Sequence, residues 1–222
     1  MQNNDLCSKT VVKTDQKQMI RKAENLTDDR LEKIRKLVGE AFVTNELFHS
    51  WGSVDERRED VLKYMSLYVD YVYQAGKLYV NEDFTGFIGL EDSANAPKLP
   101  QIKMLIRMLF GLKFSRIRSI VHFAKQVGRS NERYAKKRHI DALMVCVDKE
   151  HQGKGVASEL VAFAKNMSDG LGVPLLFDTD MKEYAEMYRH FGCELYNTVT
   201  ADNGVTRYSL YYFKNNTGEE FE

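Results

Sequence analysis

Apolar residues recur along this chain at two spacings, and the switch between them marks the elements. In "TDDRLEKIRKLVGEAF", Leu31, Ile34, Leu37, Val38, Ala41 and Phe42 share one helical face behind a cap at Thr27 or Asp28. Asp55 to Gln74 repeats that rhythm through Val61, Leu62, Met65, Leu67, Tyr68 and Val72 and predicts a second helix. Ahead of both, "KQMIRKAE" reads as a short first strand. After them, "KLYVNEDFTGFIGLED" reads as two strands joined by a tight turn at Glu82–Asp83.

Helical spacing returns at Ile102, Leu105, Ile106, Leu109 and Phe110, and again at Ile117, Ile120, Val121 and Ala124, with Gly111 dividing two helices. These stripes predict a helical pair docked on a sheet. "HIDALMVCV" follows as an apolar strand, then a glycine turn, a helix over Val156–Met167, and the strand "LLFDTD". "MKEYAEMYRHFG" is a short helix ended by Gly192, and "CELYNTVTA" and "VTRYSLYYF" close a hairpin through "DNG". This order predicts an α/β (α+β) fold, a sheet with helices on its faces. It is read as one domain over 1–222, with a polar tail at 1–16, a helical insertion at 98–138 between the third and fourth strands, and an acidic tail at 214–222.

Composition narrows the class. The 222 residues are 43% hydrophobic and 29% charged, which suits one domain with a real core. No apolar run approaches the roughly 20 residues that cross a bilayer, and the first residues lack the layout of a secretory signal. Three widely spaced cysteines, Cys7, Cys146 and Cys193, predict reduced thiols in a cytoplasmic protein, with neither a disulfide framework nor a metal site. Net charge is zero but uneven, for residues 98–138 hold twelve Lys or Arg against one acid, Glu132. That insertion reads in three ways: a solvated helical pair, a lid over an acceptor pocket, or an amphipathic surface for anionic lipid or RNA. No stacking-aromatic pattern accompanies the charge, so nucleic acid is not expected as a partner.

The stretch "VDKEHQGKGVASELVAFAK" carries the chemistry. A glycine turn opening a helix presents unpaired amides and the positive helix end to an anion, usually phosphate. A P-loop needs Lys and Ser or Thr after its last glycine, but Val156 and Ala157 follow Gly155. A dinucleotide fingerprint needs a third glycine where Ser158 stands. The remaining pattern is Q-x-x-G-x-A at Gln152, Gly155 and Ala157, directly after a strand. Amides of Gly153, Lys154, Gly155, Val156, Ala157 and Ser158 then converge on one concavity fit for a diphosphate.

At these residues the chain resembles the GNAT superfamily of N-acetyltransferases, whose acetyl-CoA pyrophosphate sits in such a loop. The likeness covers about the C-terminal 80 residues and ends in a Y-x-x-x-G pattern at Tyr188 and Gly192; its layout is most similar to the puromycin N-acetyltransferase type. The resemblance implies a mixed, mostly antiparallel sheet, acetyl-CoA as cosubstrate, and a small-molecule amine as acceptor. It also admits a homodimer. It implies Tyr188 as general acid to the departing sulfur, where a phenol near pKa 10 suits a leaving thiol. It implies a carboxylate base at Asp141, with Asp178, Asp180 and His139 in reserve, and an oxyanion held by the amides of Val145 and Val147. By alternation, Asp141 shares a face with Leu143, Val145 and Val147, an apolar row that would raise its pKa. One departure is Met181, where relatives carry an asparagine that holds pantetheine. The rival reading is a non-catalytic acyl-CoA-binding module on the same fold.

Overall fold

The computed structural model describes residues 19–128 and 136–214. Along the chain these form β1 (Arg21–Lys22), α1 (Asp28–Phe42), a 3-10 helix (Glu46–Trp51), α2 (Val54–Gln74), β2 (Leu78–Val80) and β3 (Gly86–Asp92). The insertion gives α3 (Lys98–Gly111) and α4 (Phe114–Val127). Then come β4 (Ile140–Val147), α5 (Val156–Leu171), β5 (Leu175–Thr179), α6 (Lys182–His190), β6 (Glu194–Thr200) and β7 (Thr206–Tyr212). The strands make one sheet in the order β1-β2-β3-β4-β5-β7-β6, antiparallel throughout except for β4 against β5. The tails at 1–18 and 215–222, with Cys7, lie outside the described residues.

Local chemistry starts and stops these elements. Thr27 caps α1 by accepting from the Arg30 amide, and Ser53 and Glu56 form a reciprocal capping box at the start of α2. Between β2 and β3 the Asn81 carboxamide oxygen accepts from the amides of Thr85 and Gly86, each at 2.9 Å, and so closes the hairpin. The first strand is shorter than expected. Only Arg21 and Lys22 pair with β2, at the sheet edge, and Lys17 and Gln18 lie outside the described residues.

The sheet carries a core on each face. Ile34, Val38, Val61, Met65, Val69 and Val72 of α1 and α2 pack on Leu78, Phe87, Met144 and Cys146. Leu160, Val161 and Ala164 of α5 pack on Ile88, Leu90, Ile140, Leu175 and Phe177 from the other side. Full burial of side chains such as Leu160 and Val161 contributes about 1.5–3 kcal/mol each. Polar ties add direction. Asp70 of α2, almost fully buried, receives Arg35 of α1 and Arg107 of α3, each at 2.6 Å.

The insertion does lie between the third and fourth strands, but it does not dock on the sheet as its stripes predict. Met104, Met108 and Leu112 rest on Leu67 and Tyr64 of α2, and Phe123 and Val127 of α4 pack on Ala201 and Val205 beside the β6–β7 turn. The stripe of Ile102, Leu105, Ile106, Leu109 and Phe110 is exposed. Helix α3 carries two apolar faces, and the one with Met104 and Met108 took the protein side. No helix among the described residues is long and apolar enough to cross a membrane.

Gly86 sets how closely α5 can lie on β3. A Cβ there would stand 2.5 Å from Val156 Cγ1 and 3.2 Å from Leu160 Cδ1. Gly86→Ala is therefore expected to destabilise the fold by about 1–3 kcal/mol, measured by urea unfolding. Gly170→Ala, where a Cβ meets nothing within 4 Å, is expected to be neutral or slightly stabilising.

Candidate functional site

The site begins where β4 and β5 part. They pair only over Ile140–Ala142 and Leu175–Phe177, after which the two strands diverge. On its other edge β4 follows β3 to Val147, with one irregularity: Gly89 pairs Met144, but Leu90 pairs Ala142, so Leu143 is the extra residue of a bulge. Past the bulge, the Asp148 amide donates to Thr85 O of the β3 side at 2.8 Å. Peptide groups alternate sides along a strand, so the amides of Val145 and Val147 face away from β3, toward the gap left by β5.

A cleft of about 470 Å³ fills that gap. It is lined by Asp141, Val145, Cys146 and Val147 of β4, by Asp178 and Thr179 of β5, and by Gln152, Tyr184 and Tyr188 on one flank. The opposite flank is Phe42, Asn45, Leu47, Tyr64 and Tyr68, with Arg207 of β7. Tyr188 belongs to the α5–α6 core and stacks on Phe177 at 4.6 Å, whereas Tyr64 and Tyr68 belong to the α1–α2 face. The opening thus runs through the sheet from one face to the other.

The bulge corrects the expected face of Asp141. Ile140 and Ala142 turn to the α5 side, as do Val145 and Val147, while Leu143, Met144 and Cys146 turn to the α2 side. An extra residue reverses the alternation, so Asp141 sits opposite Val145 and Val147, not in a row with them. Its neighbours are polar. It pairs across the ladder with Glu91, and its Oδ2 lies 3.2 Å from His139 Nε2. The reserves Asp178 and Asp180 are engaged by a residue that sequence reasoning missed. Arg207 grips Asp180 with Nε and Nη2 at 2.5 and 2.9 Å and reaches Asp178 at 3.7 Å, where Ser209 Oγ also donates at 2.7 Å. Nothing in the spacing around "VTRYSLYYF" marks Arg207. Tyr68 was legible only as a member of a helical stripe, and Tyr64 carried no signal in the sequence reading.

At the glycine turn, Gly153 and Gly155 adopt φ of 75° and 89°, the left-handed region that glycine enters at little cost. Gly155 is the N-cap of α5 and contributes no side-chain cap. Among the described residues, no acceptor bonds the amides of Gly153, Lys154, Gly155, Val156, Ala157 or Ser158. A Cβ at Gly153 or Gly155 would meet nothing within 4 Å, so the approach to this turn is open. The donor set fits a diphosphate: unsatisfied amides around an exposed Lys154 at a helix N-terminus. The exposed Gln152 folds back along the turn, its Nε2 donating to Val147 O at 3.2 Å and tying the turn to the end of β4. Met181, in the place of the expected asparagine, accepts from the Glu46 amide through Sδ at 3.4 Å and joins the 3-10 helix to the end of β5.

Burial sets the state of the cleft's thiol and phenols. Cys146 is buried and its thiol is pushed up to about 12, chiefly by desolvation, so it stays protonated and is a poor nucleophile. Desolvation also raises Tyr188 well above the usual phenol value, and Tyr64 to about 12.

No family model and no curated protein matches the sequence. Among solved structures, the chain is similar to a mosquito arylalkylamine N-acetyltransferase-like protein, with a TM-score of 0.55 and 14% identity over 88% of this chain and 99% of that one. An agmatine N-acetyltransferase matches at 0.55 and 12% identity, over 88% and 98%. An N-acetyltransferase from Staphylococcus aureus matches at 0.54 and 16%, over 87% and 100%. The fold is that of the GNAT N-acetyltransferases, a mixed, mostly antiparallel sheet between helices.

His139 stands behind Asp141 as a buried partner. Its Nδ1 lies 2.6 Å from Lys137 O and its Nε2 faces the Asp141 carboxylate, so both nitrogens have acceptors and the doubly protonated ring is favoured. The hydrogen bond to Asp141 is the largest cause raising its pKa, and burial opposes it. A raised folded-state value stabilises the fold fully below about 6.5, the ordinary histidine value, and that contribution fades as pH rises through the raised one. In Asp141→Asn the His139 pKa should fall, measured by NMR titration of the ring proton, and this pH-dependent stability should shrink with it. An unmoved His139 titration would contradict the pairing.

Proposed function

We propose that this protein is an acetyl-CoA-dependent N-acetyltransferase that moves an acetyl group to a primary amine by direct transfer in a ternary complex. The carrying observation is the cleft through the sheet, open to the glycine turn on the α5 side and to the α1–α2 face on the other. Two reactants entering from opposite faces meet beside Val145 and Val147. The bound thioester supplies the activated acetyl group. The chain's own residues do the rest.

Amides of Gly153 to Ser158 hold the diphosphate. The amides of Val145 and Val147, turned into the gap, donate to the thioester oxygen as charge develops on it. Asp141 takes the amine proton through a water, with His139 as its positioning residue. Tyr188 returns a proton to the departing sulfur. Burial keeps the phenol protonated, and a thiolate in the same dry place loses solvation too, so the two proton affinities rise together. The protonated state of Cys146 argues against an acetylated-enzyme route.

The acceptor is read as a small amine. The solved neighbours are named for arylalkylamines and agmatine, and aromatic walls at Tyr64 and Tyr68 suit an amine with an apolar body. The insertion borders the acceptor side, since Phe123 of α4 lies under the Arg207 guanidinium at 5.4 Å. In its motif layout the chain remains similar to the puromycin N-acetyltransferase type. The deciding experiment incubates the protein with acetyl-CoA and a panel of primary amines and follows free thiol. Amine-dependent release is the expected result, and no release with any amine would favour a binding module.

Two substitutions assign the parts. Gly155→Glu should weaken acetyl-CoA binding by roughly tenfold or more in calorimetry, because a carboxylate would stand among amides that bond phosphate. Unfolding midpoints taken alongside separate that loss from misfolding. Tyr188→Phe should lower kcat by about 100-fold or more with acetyl-CoA affinity nearly unchanged, the range expected for a general acid. Unaltered turnover would leave Tyr188 as core packing.

A further inference from the structure

The side of α3 turned away from the protein is apolar. Met104, Met108 and Leu112 mark the packed side, and on the opposite side of the helix stand Leu99, Ile102, Ile106, Leu109 and Phe110. Phe110 is 89% exposed, Leu99 81% and Leu109 61%, and Phe114 at the start of α4 adds a ring at 75%. A contiguous apolar surface of this kind on a polar protein marks a contact site.

Charge selects the occupant. Residues 98–128 contain no Asp or Glu. Lys103 lies on the exposed side itself, at helical spacing from Leu99 and Ile106, and Lys98 stands at the helix start. Neither has an ion-pair partner among the described residues, whereas Arg107 and Arg116 are tied to Asp70 and Asp60. Lysines at the margin of an apolar stripe can lay their stems along it and raise their ammonium groups to anionic headgroups. A second copy of the same face would bring lysine against lysine with no carboxylate to answer it. We infer that the outer face of α3, with Phe114, is a docking surface for an anionic lipid bilayer, lying in the interface without crossing it. This stands apart from the acetyl-transfer reading, since none of these residues lines the cleft.

The test is cosedimentation with phosphatidylcholine vesicles, alone or containing about 30% phosphatidylglycerol. The full chain should bind the anionic vesicles at least about tenfold more tightly, and binding should weaken between about 0.05 M and 0.5 M salt. Leu109→Glu with Phe110→Glu should abolish binding to either vesicle. Lys98→Glu with Lys103→Glu should remove the preference for anionic lipid. All these side chains are exposed, so unfolding midpoints should not move, and thermal scans check that. The proposal is overturned if the anionic vesicles bind nothing or if the Leu109/Phe110 variant binds them like the parent. It is also overturned if size-exclusion chromatography shows a dimer that this variant splits, or if a labelled RNA binds this face and the vesicles do not.

Discussion

One extra residue in β4 governs the centre of this molecule. Without the bulge at Leu143, the strand would keep a single alternation from Ile140 to Val147, and Val145 and Val147 would turn to the α2 side. With it, β4 pairs β5 for three residues and β3 for its whole length, and the space between β4 and β5 opens. Hydrogen-bonding groups left in a gap must find partners, from a ligand or from water. The amides that face the gap are therefore a vacancy built by register. Everything else at the site is placed around it: α5 starts where β4 ends, α6 brings Tyr188 to one rim, and α2 brings Tyr68 to the other.

Tyr68 shows how closely the scaffold guards that register. Its hydroxyl donates to Leu143 O, the carbonyl of the bulged residue, at 3.1 Å. A buried carbonyl freed from a ladder would otherwise cost about 1–3 kcal/mol. The phenol that satisfies it also walls the cleft, so the device that keeps the irregularity stable is part of the site it creates. Burial and nearby negative groups keep that phenol neutral and able to donate.

Much of this was legible from local pattern. The cap at Thr27, the glycines at 153 and 155 and the "DNG" turn announce themselves because the backbone there needs particular residue types. The bulge did not, since an added residue in an apolar strand leaves no compositional mark, and so the face of Asp141 was misjudged. The grip of Arg207 on Asp178 and Asp180 was invisible for another reason: its partners lie about thirty residues away, and no short-range pattern encodes a pairing across strands. The outer stripe of α3 was seen but misread. Periodicity tells that a helix has an apolar face, and it cannot tell which of two apolar faces meets the protein.

The tie between α4 and the closing hairpin bears on how the molecule comes apart. Phe123 and Val127 form a small core with Ala201 and Val205, and Gln126 and His122 reach Asp202 at 2.7 Å each. Leu47 of the 3-10 helix packs against the same small core, so among the described residues the turn between β6 and β7 is covered by α4 and by that one residue. A chain pruned of its insertion would bare this patch and release Arg207 from the ring beneath it, so α4 and the hairpin tip constitute a single cooperative unit. Amide protons near Val205, at the start of β7, are then protected by a helix some eighty residues upstream in the chain, and the β6–β7 hairpin completes a core whose other half is synthesised well before it.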